Sequence, residues 1–230
     1  MIGVFDSGVG GFNSIPTLRK KLPRVDIVYH ADRKNAPYGT KNEDELLCLV
    51  NDCVDRLVSC GAERILMACC TASTVWHRLE DTKRDISVPI IRYAADALSG
   101  DEKTVLVIAT ERTVADGAFG EVIKKKCSNA RAIQVPMQSL VVAVENGARV
   151  GDIKEATKSE IEAIRRLAEE HRPDALVLGC THFSSVAELI KDAAPIAKII
   201  NPAQLGATAM ANDVTRLGIN TQEQGRLIYM

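Results

Sequence analysis

The chain has 230 residues, of which 46% are hydrophobic and 26% charged, with a formal net charge of −1; this is the make-up of a globular protein with one large or two small domains. A pI near 6.4 gives no electrostatic reason to expect nucleic acid or an anionic membrane as partner, and no apolar run reaches the roughly 18–20 residues that span a bilayer. Seven cysteines form an odd count without a C-x-x-C pair, which argues against a disulfide framework and against a structural metal.

The opening "MIGVFDSGVGG" lacks the basic start and long apolar stretch of a secretion signal, so a cytoplasmic protein is expected. It reads instead as a strand and a glycine turn. From there, apolar runs of four to eight residues alternate with amphipathic segments, the pattern of a parallel α/β sheet. Strands are predicted at residues 2–5, 26–30, 64–68, 88–91, 104–109, 130–135, 175–179 and 198–200. A helix is predicted over 43–60, where Cys48, Cys53 and Cys60 stand in "ELLCLVNDCVDRLVSCG" as small hydrophobes. Cys69 and Cys70, adjacent on a strand, are expected to point to opposite faces. Further helices are predicted over 117–126 and over 152–171, the latter capped by Asp152. A helix over 202–217 and a short strand in "GRLIYM" complete the chain.

Two stretches resemble each other: "RILMACCTAS" from Arg64 and "ALVLGCTHFS" from Ala175. Each is an apolar run ending in cysteine with threonine close behind. The openings "MIGVFDSG" and "TVLVIATERT" also align, placing Asp6 about 63 residues before Cys69 and Thr110 about 70 before Cys180. The expected fold is therefore α/β, with two similar pseudo-symmetric lobes, each a mostly parallel sheet flanked by helices, and the active site in the cleft between them. Residues 1–93 plus 200–230 form the first lobe, on the Cys69 side, and 94–199 the second, on the Cys180 side. The polar stretch "YAADALSGDEK" makes the crossing. Ligand chemistry in open parallel sheets collects at the carboxyl ends of strands, where Asp6, Ser7, Cys69, Thr110 and Cys180 all fall.

"FDSGVGGFN" is a poor dinucleotide-binding turn: Gly8 and Gly10 are followed by Asn13 where a third glycine belongs. Asp6 also places a carboxylate where phosphates need positive potential. Its plainer reading is an aspartate that binds turn amides. For the cysteines, the bland reading is a buried, inert thiol. A cysteine with histidine nearby, as in "CTH" at Cys180 and His182, suits an acyl-transfer nucleophile. A facing pair of thiols suits another task. One thiolate removes a proton from a carbon and the other thiol returns one to the opposite face, which inverts a stereocentre.

"IGVFDSGVGG", "PYG" at Pro37–Gly39, "ACCTAS" at Ala68–Ser73, "VENG" at Val144–Gly147 and "LGCTHF" at Leu178–Phe183 resemble the aspartate/glutamate racemase family in order and spacing over nearly the whole chain. The resemblance implies an isomerase that needs no cofactor or metal and takes a small amino acid, interconverting L- and D-glutamate to supply the D-isomer for peptidoglycan. It implies that Cys69 and Cys180 act on opposite faces of the α-carbon, with Asp6 beside the first and His182 and Glu145 supporting the second. It further implies that Ser7, Pro37, Tyr38, Gly39, Cys70, Thr71, Thr110, Thr113 and Thr181 hold the amino acid. Hydroxyls and turn amides can bind two carboxylates without a buried cation.

The chain departs from the family pattern at several positions. Cys70 stands where that pattern has asparagine, and a thiol is a weak donor by comparison. Phe183–Ser184 replaces Tyr-Pro, Val135–Pro136 replaces Cys-Pro, Asp116 and Phe119 replace Ser and Tyr, and Asn201–Pro202 replaces an acidic-serine pair. The family's usual final helix is not matched. Two alternatives are therefore kept: a racemase of the same fold acting on aspartate or another amino acid, and a non-catalytic paralogue that binds a carboxylate. Apolar residues on exposed helix faces are compatible with a homodimer.

Overall fold

The computed structural model describes residues 1–147, 149–219 and 224–230. Its strands are β1 (Ile2–Asp6), β2 (Ile27–Ala31), β3 (Arg64–Met67), β4 (Ser87–Pro89), β5 (Thr104–Ala109), β6 (Arg131–Pro136), β7 (Ala175–Gly179), β8 (Ile199–Ile200) and β9 (Leu227–Tyr229). The helices are α1 (Ile15–Lys21), α2 (Glu43–Ser59), α3 (Cys70–Thr74), α4 (Asp81–Ile86), α5 (Glu111–Asp116), α6 (Ala118–Lys126), α7 (Gln138–Glu145), α8 (Val150–Ala156), α9 (Lys158–His171), α10 (Ala187–Ala193) and α11 (Pro202–Leu217).

Two parallel sheets result. The first runs β4-β3-β1-β2-β9 and the second β6-β5-β7-β8. Renumbered from its own first strand, the second sheet has the order of the first without β9, so the internal likeness in the sequence is a likeness of topology. In each, strand order reverses beside the opening strand, between β1 and β3 and between β5 and β7. β1 and β7 are buried along their whole length, as strands covered by helices on both faces must be, and accordingly read as continuous apolar runs. β9 pairs with β2, so the end of the chain returns to the first sheet.

Local chemistry sets the helix ends. Asn42 and Glu45 form a reciprocal capping box at the start of α2. Asn201 caps α11 by accepting from the Ala203 amide at 3.1 Å, with Pro202 in the first turn. Asn201 also donates to Ser184 Oγ at 3.0 Å; two of the departures from the family pattern are thus partners of each other.

Three local expectations change. The helix over 152–171 is two helices, because Thr157 leaves helical geometry and turns its hydroxyl onto the Ile153 carbonyl at 2.7 Å. Asp152 lies inside α8, whose cap position is Arg149. The strand over 88–91 stops at Pro89, which has no N–H for the ladder, and Ile90–Ala97 winds into a 3₁₀ segment. That segment packs on both α6 and α11. The largest apolar cluster consequently runs across both sheets, with Val4, Ile90 and Met210 joined to Val105, Val107, Phe119 and Ile123. Among the described residues no helix is long and apolar enough to cross a membrane.

Candidate active site

Both cysteines at the ends of like strands open onto one cavity of about 320 Å³. Cys69 follows β3 as the cap residue of α3, accepting the Ala72 amide on Sγ at 3.4 Å. Cys180 follows β7 and begins the 3₁₀ turn Thr181–Val186. They are 5% and 6% exposed, covered yet not sealed. Cys70 lines the same cavity. The alternation expected of a strand does not apply to it, since β3 ends at Met67 and Cys70 is already helical.

Asp6 ends β1 with no exposed surface, behind Cys69. It accepts the Gly8 amide at 3.1 Å and the Thr181 hydroxyl at 3.4 Å. Burial pushes its carboxyl above the ordinary range, against the pull of His182, the Gly11 and Gly8 amides and a hydrogen bond with Cys69. Burial likewise pushes the Cys69 thiol well up, and the charge of Asp6 adds to this. The Cys69 thiol donates to Ser7 Oγ at 3.7 Å.

The second half is arranged differently. His182 Nδ1 lies 3.4 Å from Cys180 Sγ, and its Nε2 meets Glu145 Oε2 at the end of α7. Burial disfavours charge on this imidazole, but Cys180, Glu145 and Asp6 together raise it to about 11. Glu145 is lowered chiefly by the hydrogen bond from His182. His182 is thus an imidazolium at neutral pH, set against the adjacent sulfur. The two thiols sit in opposite settings, one beside a buried acid and one beside a cation.

The glycine turn serves to seat the other half. A Cβ on Gly8 would meet the Glu145 carboxylate at 2.5 Å, and one on Gly10 would meet Thr181 Oγ1 at 2.4 Å. Only bare backbone permits this approach. Asn13, in place of a third glycine, donates to the Gly10 carbonyl at 2.9 Å and across to the Thr181 carbonyl at 3.1 Å. The space a pyrophosphate would need holds the Cys180 side of the site.

The remaining predicted residues separate by position. Ser7, Pro37, Tyr38, Gly39, Thr71, Thr110 and Thr181 line the cavity. Thr113 stands behind it with no exposed surface, donating its amide to Thr110 Oγ1 at 3.2 Å. Its hydroxyl lies 3.1 Å from that of Thr71 and 2.8 Å from that of Thr110, so three hydroxyls from both sheets form one cluster. The Tyr38 hydroxyl is engaged by Asp32 Oδ2 at 2.6 Å and approaches Cys53 Sγ at 3.5 Å. Residues not anticipated from sequence also line the wall: Arg33, Ala36, Val141, Val142 and Asn146. Arg33 sits in a charged surface stretch and the valines in an ordinary amphipathic helix, so none carried a distinguishing signal. Among the described residues no cluster of three or more His, Cys, Asp or Glu is placed to hold a metal ion.

Comparison with known proteins shows what this arrangement is similar to. A family model described as Asp/Glu/Hydantoin racemase matches residues 17–210. A glutamate racemase of Dinoroseobacter shibae is 30% identical over 233 aligned positions, covering 94% of this chain and 84% of that protein. The crystal structure of glutamate racemase from Thermus thermophilus in complex with β-chloro-D-alanine superposes with a TM-score of 0.82 at 29% identity, covering 99% of this chain and 86% of that one. The glutamate racemase of Francisella tularensis in complex with D-glutamate gives 0.81 at 26% identity, covering 99% and 87%.

Proposed function

Since the chain belongs to the Asp/Glu/Hydantoin racemase family, we propose that it interconverts L- and D-glutamate by proton transfer at the α-carbon, using Cys69 and Cys180 as the two bases and no cofactor. The observation that carries this reading is the placement of both cysteines, at equivalent strand ends of two like-ordered sheets, on one cavity. Opposed thiols explain inversion: a single base would return the proton to the face it came from.

The two settings suggest how protons are handled. Beside the His182 imidazolium, Cys180 takes the α-proton from the enantiomer that presents it to that side. Cys69, held as a thiol by burial, gives its proton to the opposite face. Asp6, whose carboxyl is pushed up by burial and hydrogen-bonded with Cys69, supports that sulfur by keeping its own proton beside it when Cys69 has given its proton to the carbon and stands as thiolate. In the reverse direction the roles exchange. Ser7, Thr71, Thr110 and Thr181, with the backbone at Tyr38 and Gly39, hold the amino acid, and Thr113 orders the hydroxyls it backs. The product D-glutamate would supply peptidoglycan synthesis in the cytoplasm. A homodimer is part of the proposal, supported by exposed Val9, Phe12 and Tyr229 and tested by light scattering.

Loss of the α-proton signal in deuterated water, measured separately with L- and D-glutamate, tests the reading. The wild-type protein is expected to exchange both, and Cys69→Ser and Cys180→Ser each to lose about 10²–10⁴-fold in racemisation. Folded wild-type protein that exchanges neither enantiomer would overturn it. Cys70, a poor donor on the cavity wall, favours a second reading in which aspartate or another amino acid is preferred. A panel of amino acids in the same assay separates the two.

A further inference from the structure

The cavity carries a charge that two-thiol chemistry leaves unused. Arg33 lies on the exposed loop that follows β2 and lines the wall together with Pro37, Tyr38 and Gly39. Its backbone N–H is tied to the Ala31 carbonyl at 2.8 Å, so the loop's start is fixed. Its guanidinium makes no hydrogen bond or ion pair among the described residues, yet its field reaches Glu145 and helps to lower that carboxyl.

Charge balance makes this cation informative. Glu145 and His182 compensate each other as a pair, and the other lining side chains are hydroxyls, thiols, an amide and apolar groups. Of the two cations on the wall, Arg33 and His182, only Arg33 has no carboxylate partner among the described residues. A dicarboxylic amino acid carries a net charge of about −1 at neutral pH and a monocarboxylic one about zero. Where the family pattern has an amide, Cys70 offers the wall only a weak thiol, and a guanidinium is a stronger partner for a carboxylate than a neutral donor.

We propose that Arg33 is a specificity-determining residue whose guanidinium takes the distal carboxylate of a dicarboxylic amino acid at the cavity mouth, while the α-carbon lies between Cys69 and Cys180. The planar fork of arginine suits a bidentate bond to that carboxylate. This inference rests on the racemase reading and deepens it.

Arg33→Gln and Arg33→Lys are compared with wild type on glutamate and on glutamine, which differ in distal charge and scarcely in shape. In Arg33→Gln the ratio of kcat/KM for glutamate over that for glutamine is expected to fall by about tenfold or more, mainly through KM. Arg33→Lys falls between, and added salt raises KM for glutamate in wild type more than in Arg33→Gln. An unchanged ratio overturns the inference. If wild type racemises neither amino acid, the racemase reading fails and calorimetry decides Arg33 by itself. Glutarate, a dicarboxylate without an α-amino group, should then bind Arg33→Gln about tenfold more weakly than wild type; equal affinity overturns the assignment.

Discussion

Replacing Gly10 by alanine adds one methyl group at the seam between the two halves of the site. Gly10 opens the 3₁₀ turn Gly10–Ser14 and does not have a positive φ, so alanine fits its backbone. The whole effect must come from contact. The methyl would stand 2.4 Å from Thr181 Oγ1 and 2.9 Å from both the backbone nitrogen and Nδ1 of His182, whereas ordinary contact begins at 3.4 Å. Relief needs a shift of about 1 Å in the segment that carries Cys180, His182 and Thr181. Overpacking of this kind costs about 1–3 kcal/mol, which lowers Tm by roughly 2–12 °C for a chain of this size. Set against a typical stability of about 5–15 kcal/mol, that leaves the protein folded at 25 °C. A displacement of about 1 Å at reacting groups, however, can cost about 10²-fold in rate. The kcat for α-proton exchange should therefore collapse while the native fraction stays near one. Gly151→Ala is the control: it sits in α8 with no atom within 4 Å of the added methyl, so stability should rise by up to about 1 kcal/mol with kcat unchanged. If Gly10→Ala kept both the wild-type rate and the wild-type Tm, the seating of one half on the other through this turn would be refuted.

Two predictions concern pH. His182 is raised to about 11 partly by Glu145, so Glu145→Gln should move the alkaline limb of the kcat/KM profile to lower pH; a limb that stays put would show that Glu145 does not hold the proton. Because the folded-state pKa of His182 lies above the ordinary value of about 6.5, the stability from its bound proton is complete below about pH 6.5 and drains as pH rises toward 11. The Tm gap between wild type and Glu145→Gln should narrow over that window. Glu102 shows the opposite sign. Burial works against its charge, but Lys198 and the Ser99 and Gly100 amides hold it below the usual carboxylate range. Its contribution is present above the ordinary pKa of about 4.3 and lost as pH falls further. Melting curves of Glu102→Gln should thus lie below wild type at pH 7 and approach it on acidification.

The strands were legible because both sheets are parallel and buried, which imposes short apolar runs that few other arrangements require. The two cysteines were legible through the likeness of "RILMACCTAS" and "ALVLGCTHFS". Backbone detail was not. The sequence around Thr157 keeps a helical apolar period across the break, since period reports the buried face and carries no record of a hydroxyl turned onto its own chain. Pro89 was a visible stop within the predicted strand at 88–91, but the 3₁₀ path of Ile90–Ala97 follows from its packing between α6 and α11. Cys70 was misplaced by extending the strand three residues too far. Arg33 and Asn13 lay beyond reach for another reason: each matters through a neighbour from a distant part of the chain, and nothing local distinguishes them from ordinary loop residues.

The apolar cluster shared by the two sheets also limits how the molecule can breathe. A wide clamshell motion would open the cluster that joins Val105, Val107, Phe119 and Ile123 to Ile90 and Met210, all now without exposed surface. At about 1.5–3 kcal/mol for each large side chain, uncovering four of them approaches the stability of a whole domain. The side on which the chamber can be reached without parting the sheets is its outer rim, where the lining residues Arg33, Ala36 and Pro37 are partly or fully exposed.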